Sequence, residues 1–486
     1  MDYKKVGLKC GIEIHKQLET KHKLFCSCKS QLSSKPNSEF RRKLRPVAGE
    51  LGDIDVATLH ERMKNKLFVY TVYPEETCLV ETDSEPPHPL NREALDIGLK
   101  IAVLLNCEIP DEIHVMRKTV IDGSNTSGFQ RTAMIGINGY LNTTFGKVGI
   151  SNVLLEEESS QILKKGTHFT QYGLDRLSMP MVEIVTAPDI HTPDQAKEVA
   201  QKIGSMLKST GKVKRGLGTI RQDVSVSIRT GNRVEIKGVQ DLDMIPKIVE
   251  KEAQRQQDKK KVTKDVRRVL PDASTEFMRP LPGAARLYPE TDILPIRITH
   301  DYLKKIGAEL PEDIEKRMAR MVKQYKINNE IADQLIDMEN DTIFEAIVAE
   351  GFDSGTVSRA LTSTSKDLRR QDIDVDSIPG FIIIELFKAF KKRGLKTVPK
   401  EAVENAFTEL ARDPSQDLSS LVEKLGVKSV SEADVRKLVR DVISKNKEVL
   451  TKNRPENILM GLIMKEARGK IPGNMIMKAL KEEINK

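Results

Sequence analysis

Tryptophan is absent from the 486 residues, aromatic residues make up only 4%, and five cysteines are present. The scarcity of rings argues against recognition of nucleic acid by base stacking, which needs exposed aromatic faces. Five scattered thiols (Cys10, Cys26, Cys28, Cys78, Cys107) are too few for a disulfide framework and fit a reducing, cytoplasmic setting. No apolar run approaches the roughly 20 residues of a membrane span. The opening MDYKKVGLK has no signal-peptide pattern. Also missing are a GxxxxGK[ST] phosphate loop, internal repeats and low-complexity tracts.

What remains is a chain with 38% hydrophobic and 31% charged residues. That suits a soluble globular protein of roughly two to four domains. The net charge is +8, and from Lys437 to Lys486 twelve Lys and Arg stand against six Asp and Glu. A basic end of this kind fits a polyanion such as a structured RNA, read through phosphate and shape, or a solvated helix face.

Residues 1–297 are rich in Gly, Pro and short alternating segments: KVGLKCGIEIH, KVGISNVLLEEE, MVEIVTA, DVSVSIRT and NRVEIKGV. Period two with β-branched residues predicts strands. Amphipathic patterns predict helices at Asn91–Leu105 and Pro193–Ser209, the second with Thr192 as N-cap and proline at its first position. The expected body is α+β with a largely antiparallel sheet. After a charged connector at Gln254–Arg268, strand signals fade. An all-α domain is expected at 298–395 and a small, basic, all-α tail at 396–486.

In the first strand Val6, Leu8, Cys10, Ile12 and Ile14 share one side, while Glu13 and His15 share the other, about 7 Å apart. A carboxylate and an imidazole on one rigid face can hold a divalent cation or guide a proton; they are also what a surface ion pair looks like. Glu156–Glu157–Glu158 follow an apolar strand and need solvent or a cation to relieve their repulsion. Glu183 lies within an apolar strand, where a lone charge is costly. Asp223 opens an alternating strand, and Glu235 and Asp241 lie in the next. Together these make an oxygen-ligand site credible, for Mg²⁺ before Zn²⁺. For phosphate, the candidate is Arg117–Lys118 with the loop from Asp122 to Arg131, whose Gly123, Gly128 and hydroxyls can cradle an anion or simply connect a hairpin. Cys26, Cys28 and Cys78 suit either a structural Zn²⁺ without an evident fourth ligand or buried reduced thiols.

Taken together, GIEIHKQLETKHKLFCSC, EPPHPLNREAL, RKTVIDGSNTSGFQRT, LLEEE, LDRLSMPMVEIVTAPD, VKRGLGTIRQDVSVSIR, EIKGVQDLDMI and RPLPGAARLYPETD resemble the GatB/GatE family. These are the transamidation subunits of glutamyl-tRNA(Gln) amidotransferases. The wording DGSNTSGFQRT and KGVQDLDMIP is similar to the archaeal GatE branch. The resemblance implies a cradle-shaped catalytic domain, a helical domain and a tRNA-gripping tail. It implies that ATP and Mg²⁺ serve to phosphorylate the γ-carboxylate of Glu-tRNA(Gln), and that ammonia then displaces phosphate to give Gln-tRNA(Gln).

The ammonia would come from an asparaginase-like partner, GatD, in a hetero-oligomer that also works with glutamyl-tRNA synthetase. The alternatives are a glutaminase-coupled GatB-like subunit and a tRNA scaffold without catalysis. The implied metal positions fall on Glu13, His15, Glu157 and Asp223, with Glu156 and Glu183 close by. Lys118, Ser124, Gln130 and Arg131 would act on phosphate or the glutamyl group, and Arg117, Gly123, Gly128 and Arg176 would hold the nucleotide. One departure stands out. The archaeal branch carries an inserted domain before RPLPGAARLYPETD, and here Gln256 reaches Arg279 with no room for it. Lys259–Lys261 and Arg267–Arg268 are the expected substitutes in contacting tRNA.

Overall fold

The computed structural model describes residues 1–45, 52, 54, 56–216, 218–258, 262–281, 283, 287–395, 398–426, 432–446, 455–467 and 473–484. Its strands, in chain order, are β1 (Lys9–Gln17), β2 (Ser38–Arg42), β3 (Leu67–Val72), β4 (Glu112–Ile113), β5 (Val115–Thr119) and β6 (Phe129–Thr143). There follow β7 (Gly146–Glu157), β8 (Gln161–Lys165), β9 (Phe169–Gly173), β10 (Pro180–Thr186) and β11 (Ile220–Ser227). The last are β12 (Val234–Val239), β13 (Asp265–Val269), β14 (Thr275–Pro280), β15 (Leu287–Pro289) and β16 (Ile296–Arg297).

Ten strands form one sheet in the order β14-β13-β12-β11-β1-β10-β7-β6-β5-β15. Every pair is antiparallel except β12–β13, which are joined through the crossover helix Ile245–Asp258. β1 lies inside the sheet, between β10 and β11. Only six residues, 281–286, separate the two edge strands β14 and β15. Their reach is about 25 Å, whereas ten flat strands would be about 43 Å across, so the sheet curls.

Alternation sets the two faces. Cys10, Ile12 and Ile14 are fully buried on the face covered by helices: Arg92–Leu104 packs on β6 and β7, Pro193–Ser209 on β1, and Ile245–Asp258 on β11. Each such aliphatic side chain contributes on the order of 1.5–3 kcal/mol by leaving water. The second of these helices is closed by a reciprocal capping box between Thr192 and Gln195 with proline at its start. A smaller sheet, β2-β3-β9-β8, takes β2 and β3 from the segment after β1 and β8 and β9 from the segment between β7 and β10, and is built on Phe68, Tyr70 and Tyr172.

The chain divides into two compact units, Met1–Pro311 and Glu312–Lys486. Helix His300–Ala308, expected to begin the helical domain at 298, stays with the first unit, because Tyr302 hydrogen-bonds Asp96 and Glu309 pairs with Lys100. Among the described residues the second unit is all helical and holds two hydrophobic cores. One runs from Met321 to Val422 and takes in Leu395, Val398, Ala402 and Phe407, so the expected division at 395/396 falls inside it. The other, from Val435 to Leu480, is formed by helices Glu432–Lys445, Pro455–Ala467 and Gly473–Ile484. Among the described residues no helix is long and apolar enough to cross a membrane.

Candidate active site on the charged sheet face

The face opposite the helices carries a row of charge across seven strands. Residues directly opposite in an antiparallel pair share a face, and β1 places Glu13 opposite Asp223 and His15 opposite Glu183. Two residues along β10, Met181 lies opposite Glu156 of β7, which puts Glu156 on the same side. His15 Nε2 is 3.4 Å from Glu13 and 3.3 Å from Glu183. Two groups result, Glu13–His15–Asp223 and His15–Glu156–Glu183, each with one ligand atom per residue within 4.8 Å of the others.

Two lysines flank the row. Lys118 of β5 contacts Glu156 and lies 3.4 Å from Glu183. Lys237 of β12 sits 2.5 Å from Asp223 and 2.7 Å from Glu235. Gln130 donates to Glu156 at 3.1 Å and to the carbonyl of Glu157 at 2.6 Å.

Crowding and burial move the proton affinities apart. Burial, then the charge of Glu183, pushes Glu13 up to about 7. The same two causes raise Glu156. Burial opposes ionisation of Glu183 too, but Lys118 and the hydrogen bond from His15 outweigh it and hold its carboxyl well below the usual range. Burial alone would lower His15, yet Glu183, Glu13 and Asp223 raise it to about 9. The face thus stores several carboxylates around one imidazole, an arrangement suited to a hard divalent cation and to an anion bridged to it.

Glu157 is elsewhere. Strand alternation turns it to the opposite face, where its carboxylate accepts from Arg131 (backbone N 3.0 Å, Nη1 3.1 Å) and from Ser178 Oγ at 3.1 Å. Arg131 continues to Glu290 at 2.8 Å, and Arg117 reaches Glu290 at 2.5 Å and Asp292 at 3.2 Å. Both guanidiniums lie over Phe129. They border a shallow cavity of about 330 Å³ with Asp83, Glu85 and Pro86. Of the expected metal set, then, Glu13, His15, Asp223, Glu156 and Glu183 converge, and Glu157 joins the arginine network instead.

The loop after β5 is a joint rather than an open anion cradle. Gly123 has φ +91°, and a Cβ there would lie 2.2 Å from the Phe68 ring, so only glycine fits. Tyr70 and Tyr172 donate to the carbonyls of Gly123 and Asp122 at 2.9 and 2.8 Å. Ser124 spends its backbone N–H and hydroxyl on Asp122 (3.0 and 2.6 Å), and the Gly128 N–H goes to Asn125. Arg176 donates to the carbonyls of Ser159 and Ser160 at 2.8 and 2.9 Å. Lys118 and Gln130 reach the charged face; Ser124, Arg131, Arg117, Gly123, Gly128 and Arg176 do not. Sequence reasoning passed over Lys237, whose place was signalled by its alternation with Glu235, and the network anchor Glu290.

A second cluster unites Cys26, Cys28, Cys78 and Glu81, again within 4.8 Å. Glu81 supplies the fourth donor group that the sequence reading lacked, and its signal was the three-residue spacing from Cys78. Its Oε1 is 2.8 Å from Cys26 Sγ, its Oε2 accepts the Cys78 N–H at 2.8 Å, and fully buried Lys23 is 3.7 Å away. Hydrogen bonds from Cys26 and Cys28 pull the Cys78 thiol down, and burial raises Glu81. Three sulfurs and one carboxylate suit a closed tetrahedral metal site. Arg267 and Arg268, expected to contact RNA, bond to Thr275 and Glu276, Arg268 from an exposed position; Lys259–Lys261 lie outside the described residues.

A curled, mostly antiparallel sheet gathers carboxylates, one imidazole and two lysines on one face, and comparison with known proteins says which family builds such a domain. Residues 8–304 match the family described as the GatB/GatE catalytic domain, and residues 342–484 match the GatB domain. The chain belongs to the GatB/GatE family. It is similar over its length to proteins named as the GatE subunit of glutamyl-tRNA(Gln) amidotransferase. The one from Thermococcus sibiricus is 35% identical over 624 positions, covering 99% of this chain and 98% of the relative. That from Methanocaldococcus jannaschii is 34% identical, covering 100% and 99%. That from Pyrococcus abyssi is 36% identical, covering 95% and 94%. An alignment of 624 positions against 486 residues leaves well over a hundred positions of the relative without a counterpart here, in keeping with a missing inserted domain.

Proposed function

We propose that this chain is the amidating subunit that converts Glu-tRNA(Gln) to Gln-tRNA(Gln) at the charged face. The γ-carboxylate of the tRNA-borne glutamate attacks the γ-phosphorus of ATP, and the bond to ADP breaks. Ammonia then adds its lone pair to the acyl carbon, phosphate leaves with the C–O electrons, and one proton passes from the nitrogen to the departing phosphate, leaving the neutral amide. A carboxylate is already anionic at neutral pH, so no strong base is required for the first step. The observation that carries this reading is the convergence of Glu13, His15, Asp223, Glu156 and Glu183 beside Lys118 and Lys237. The residue chemistry fits Mg²⁺, which Glu13, His15 and Asp223, with Glu156 and Glu183, would hold. When bound it would offset the phosphoryl charge. Lys118 is placed to neutralise an anion brought to Glu156 and Glu183. Ammonia is assigned to an asparaginase-like partner subunit, GatD, and Cys26, Cys28, Cys78 and Glu81 to a structural Zn²⁺.

Of the units, 1–297 carries the reaction, and the helical remainder, divided at 395/396 by sequence and between Val422 and Val435 by its cores, grips tRNA. The test is Gln-tRNA formation by the chain with its asparaginase partner, ATP, Mg²⁺ and asparagine. Product from wild type and none from Glu183→Gln, with tRNA still bound, supports the reading. Tight tRNA binding without product from wild type would leave a scaffold.

A further inference from the structure

The small sheet carries a concentration of positive charge that the reaction just proposed leaves unused. Four chain segments meet at one of its ends: the end of β2, the start of β3, the start of β9 and the end of β8. Register fixes this, since Leu67 pairs with Phe169, Arg42 with Phe68, and Lys165 with Thr170. The segments bring Arg41 and Lys43, Lys66, His168, and Lys164 with Lys165 to that end. Arg41, Lys43, Lys164, Lys165 and His168 are exposed, and Lys66 is partly so. Among the described residues Lys43 contacts the neutral amide of Asn65, at 3.2 Å, and no carboxylate, and Lys164 stands 5.9 Å from the half-buried ring of Phe169. Among the described residues, none of Arg41, Lys66, Lys164 and Lys165 enters an ion pair. The carboxylates nearby are engaged: Glu61 holds Lys64, and Glu39 accepts from Gln171 and Thr71.

This contrasts with the charged face and the arginine network, where Lys118, Lys237, Arg117, Arg131 and Arg221 each face a carboxylate. Unpaired cations spread over four strands, about 14 Å across, form a footprint for a chain of phosphates. The fold also says where such a chain would lead. β8 begins four residues after Glu157, and β10 with Glu183 begins seven residues after β9 ends. The cationic end is therefore a direct outgrowth of two strands that carry the charged face, within about 29 Å of backbone from Glu157 to Lys165.

We propose that this end of the small sheet binds the sugar–phosphate backbone of the RNA substrate and guides its aminoacylated end toward the charged face. This rests on the reading of tRNA as substrate. The contact is to phosphate rather than to bases, since lysines and arginine outnumber the rings at this end and the Phe169 ring is half-buried.

The test uses the full-length chain and an in vitro tRNA transcript, with binding followed by fluorescence anisotropy between about 50 and 300 mM KCl. The double variant Lys164→Glu, Lys165→Glu sits on an exposed edge strand away from every core, and an unchanged melting temperature checks its fold. Lys164→Gln with Lys165→Gln removes charge without adding any. The expected result is a tRNA affinity weaker by on the order of tenfold or more for Glu and less for Gln, with a salt slope shallower by about 2. Unchanged affinity and slope in folded variants would overturn the proposal while leaving the amidation reading intact. Wild type that makes no Gln-tRNA, yet loses RNA affinity on Lys164→Glu, Lys165→Glu, would overturn the amidation reading and leave this surface standing.

Discussion

Two ligand clusters share the first unit and are built in opposite ways. Glu13, His15, Glu156, Glu183 and Asp223 come from four strands spread over more than two hundred residues and meet only through sheet register. Cys26, Cys28, Cys78 and Glu81 come from two turns and need little more than one close approach of them. The first presents oxygen and one nitrogen on a face balanced by Lys118 and Lys237; the second presents sulfur beside buried Lys23. Hard donors on an open face suit a cation that must meet a substrate, and thiols in a closed corner suit one that holds turns together. Loss at the first should therefore register in turnover, and loss at the second in stability.

The largest expected effect is on the face. Glu183→Gln should lower Gln-tRNA formation by about a thousandfold or more, read in a single-turnover assay, with the melting temperature within a few degrees of wild type. Equal losses in both would erase the contrast. Next, Cys26→Ser with Cys78→Ser, or prolonged chelation, should lower the melting temperature by about 5–10 °C, while activity per folded molecule measured below the transition stays near wild type. Glu157→Gln is intermediate. It takes one carboxylate from Arg131 but leaves Glu290, so calorimetry should show a cost of about 1–3 kcal/mol.

The last effect is a pH dependence of cation affinity, read apart from turnover and melting. Cation binding needs Glu13 and His15 deprotonated, and they are held at about 7 and about 9. Both values are raised. In the cation-free protein the stabilisation tied to their protonated forms is therefore complete below their unfolded values, 4.5 and 6.5, and is lost as pH rises through about 7 and about 9. Affinity for Mn²⁺, as a probe for Mg²⁺, should accordingly rise from pH 6 to about 9, by at most about tenfold per unit for each proton released. A flat profile would separate His15 from the cation.

How much of this was legible in the sequence depended on distance along the chain. The alternation of β1 showed Glu13 and His15 on one face, because a single strand sets it. Asp223, at the start of an equally clean alternation, was legible for the same reason. Glu156 and Glu157 were not distinguishable: Leu154 and Leu155 are adjacent, so the apolar pattern gives no parity, and only pairing with β10 and β6 decides it. The resemblance placed Glu157 in the metal set with Glu156 close by, and of the two the register brings Glu156 beside His15 and Glu183.

The Gly/Ser loop looked like a phosphate cradle because glycine with positive φ serves a tight joint equally well. Glu81 escaped notice because carboxylates are common in turns and only the approach of Cys26 gives this one a role. The Gly394–Pro399 stretch looked like a domain boundary, yet Leu395 and Val398 are buried in the core that spans it.

The most direct test of the account sets neighbours against each other. Mn²⁺ binding would be measured by electron paramagnetic resonance for Glu156→Gln and Glu157→Gln, with Gln-tRNA formation followed in parallel. The account predicts that Glu156→Gln loses both cation and product, while Glu157→Gln keeps both and melts earlier. Retention by Glu156→Gln with loss by Glu157→Gln would contradict it, and would mean that the catalytic cation lies on the arginine side of the sheet.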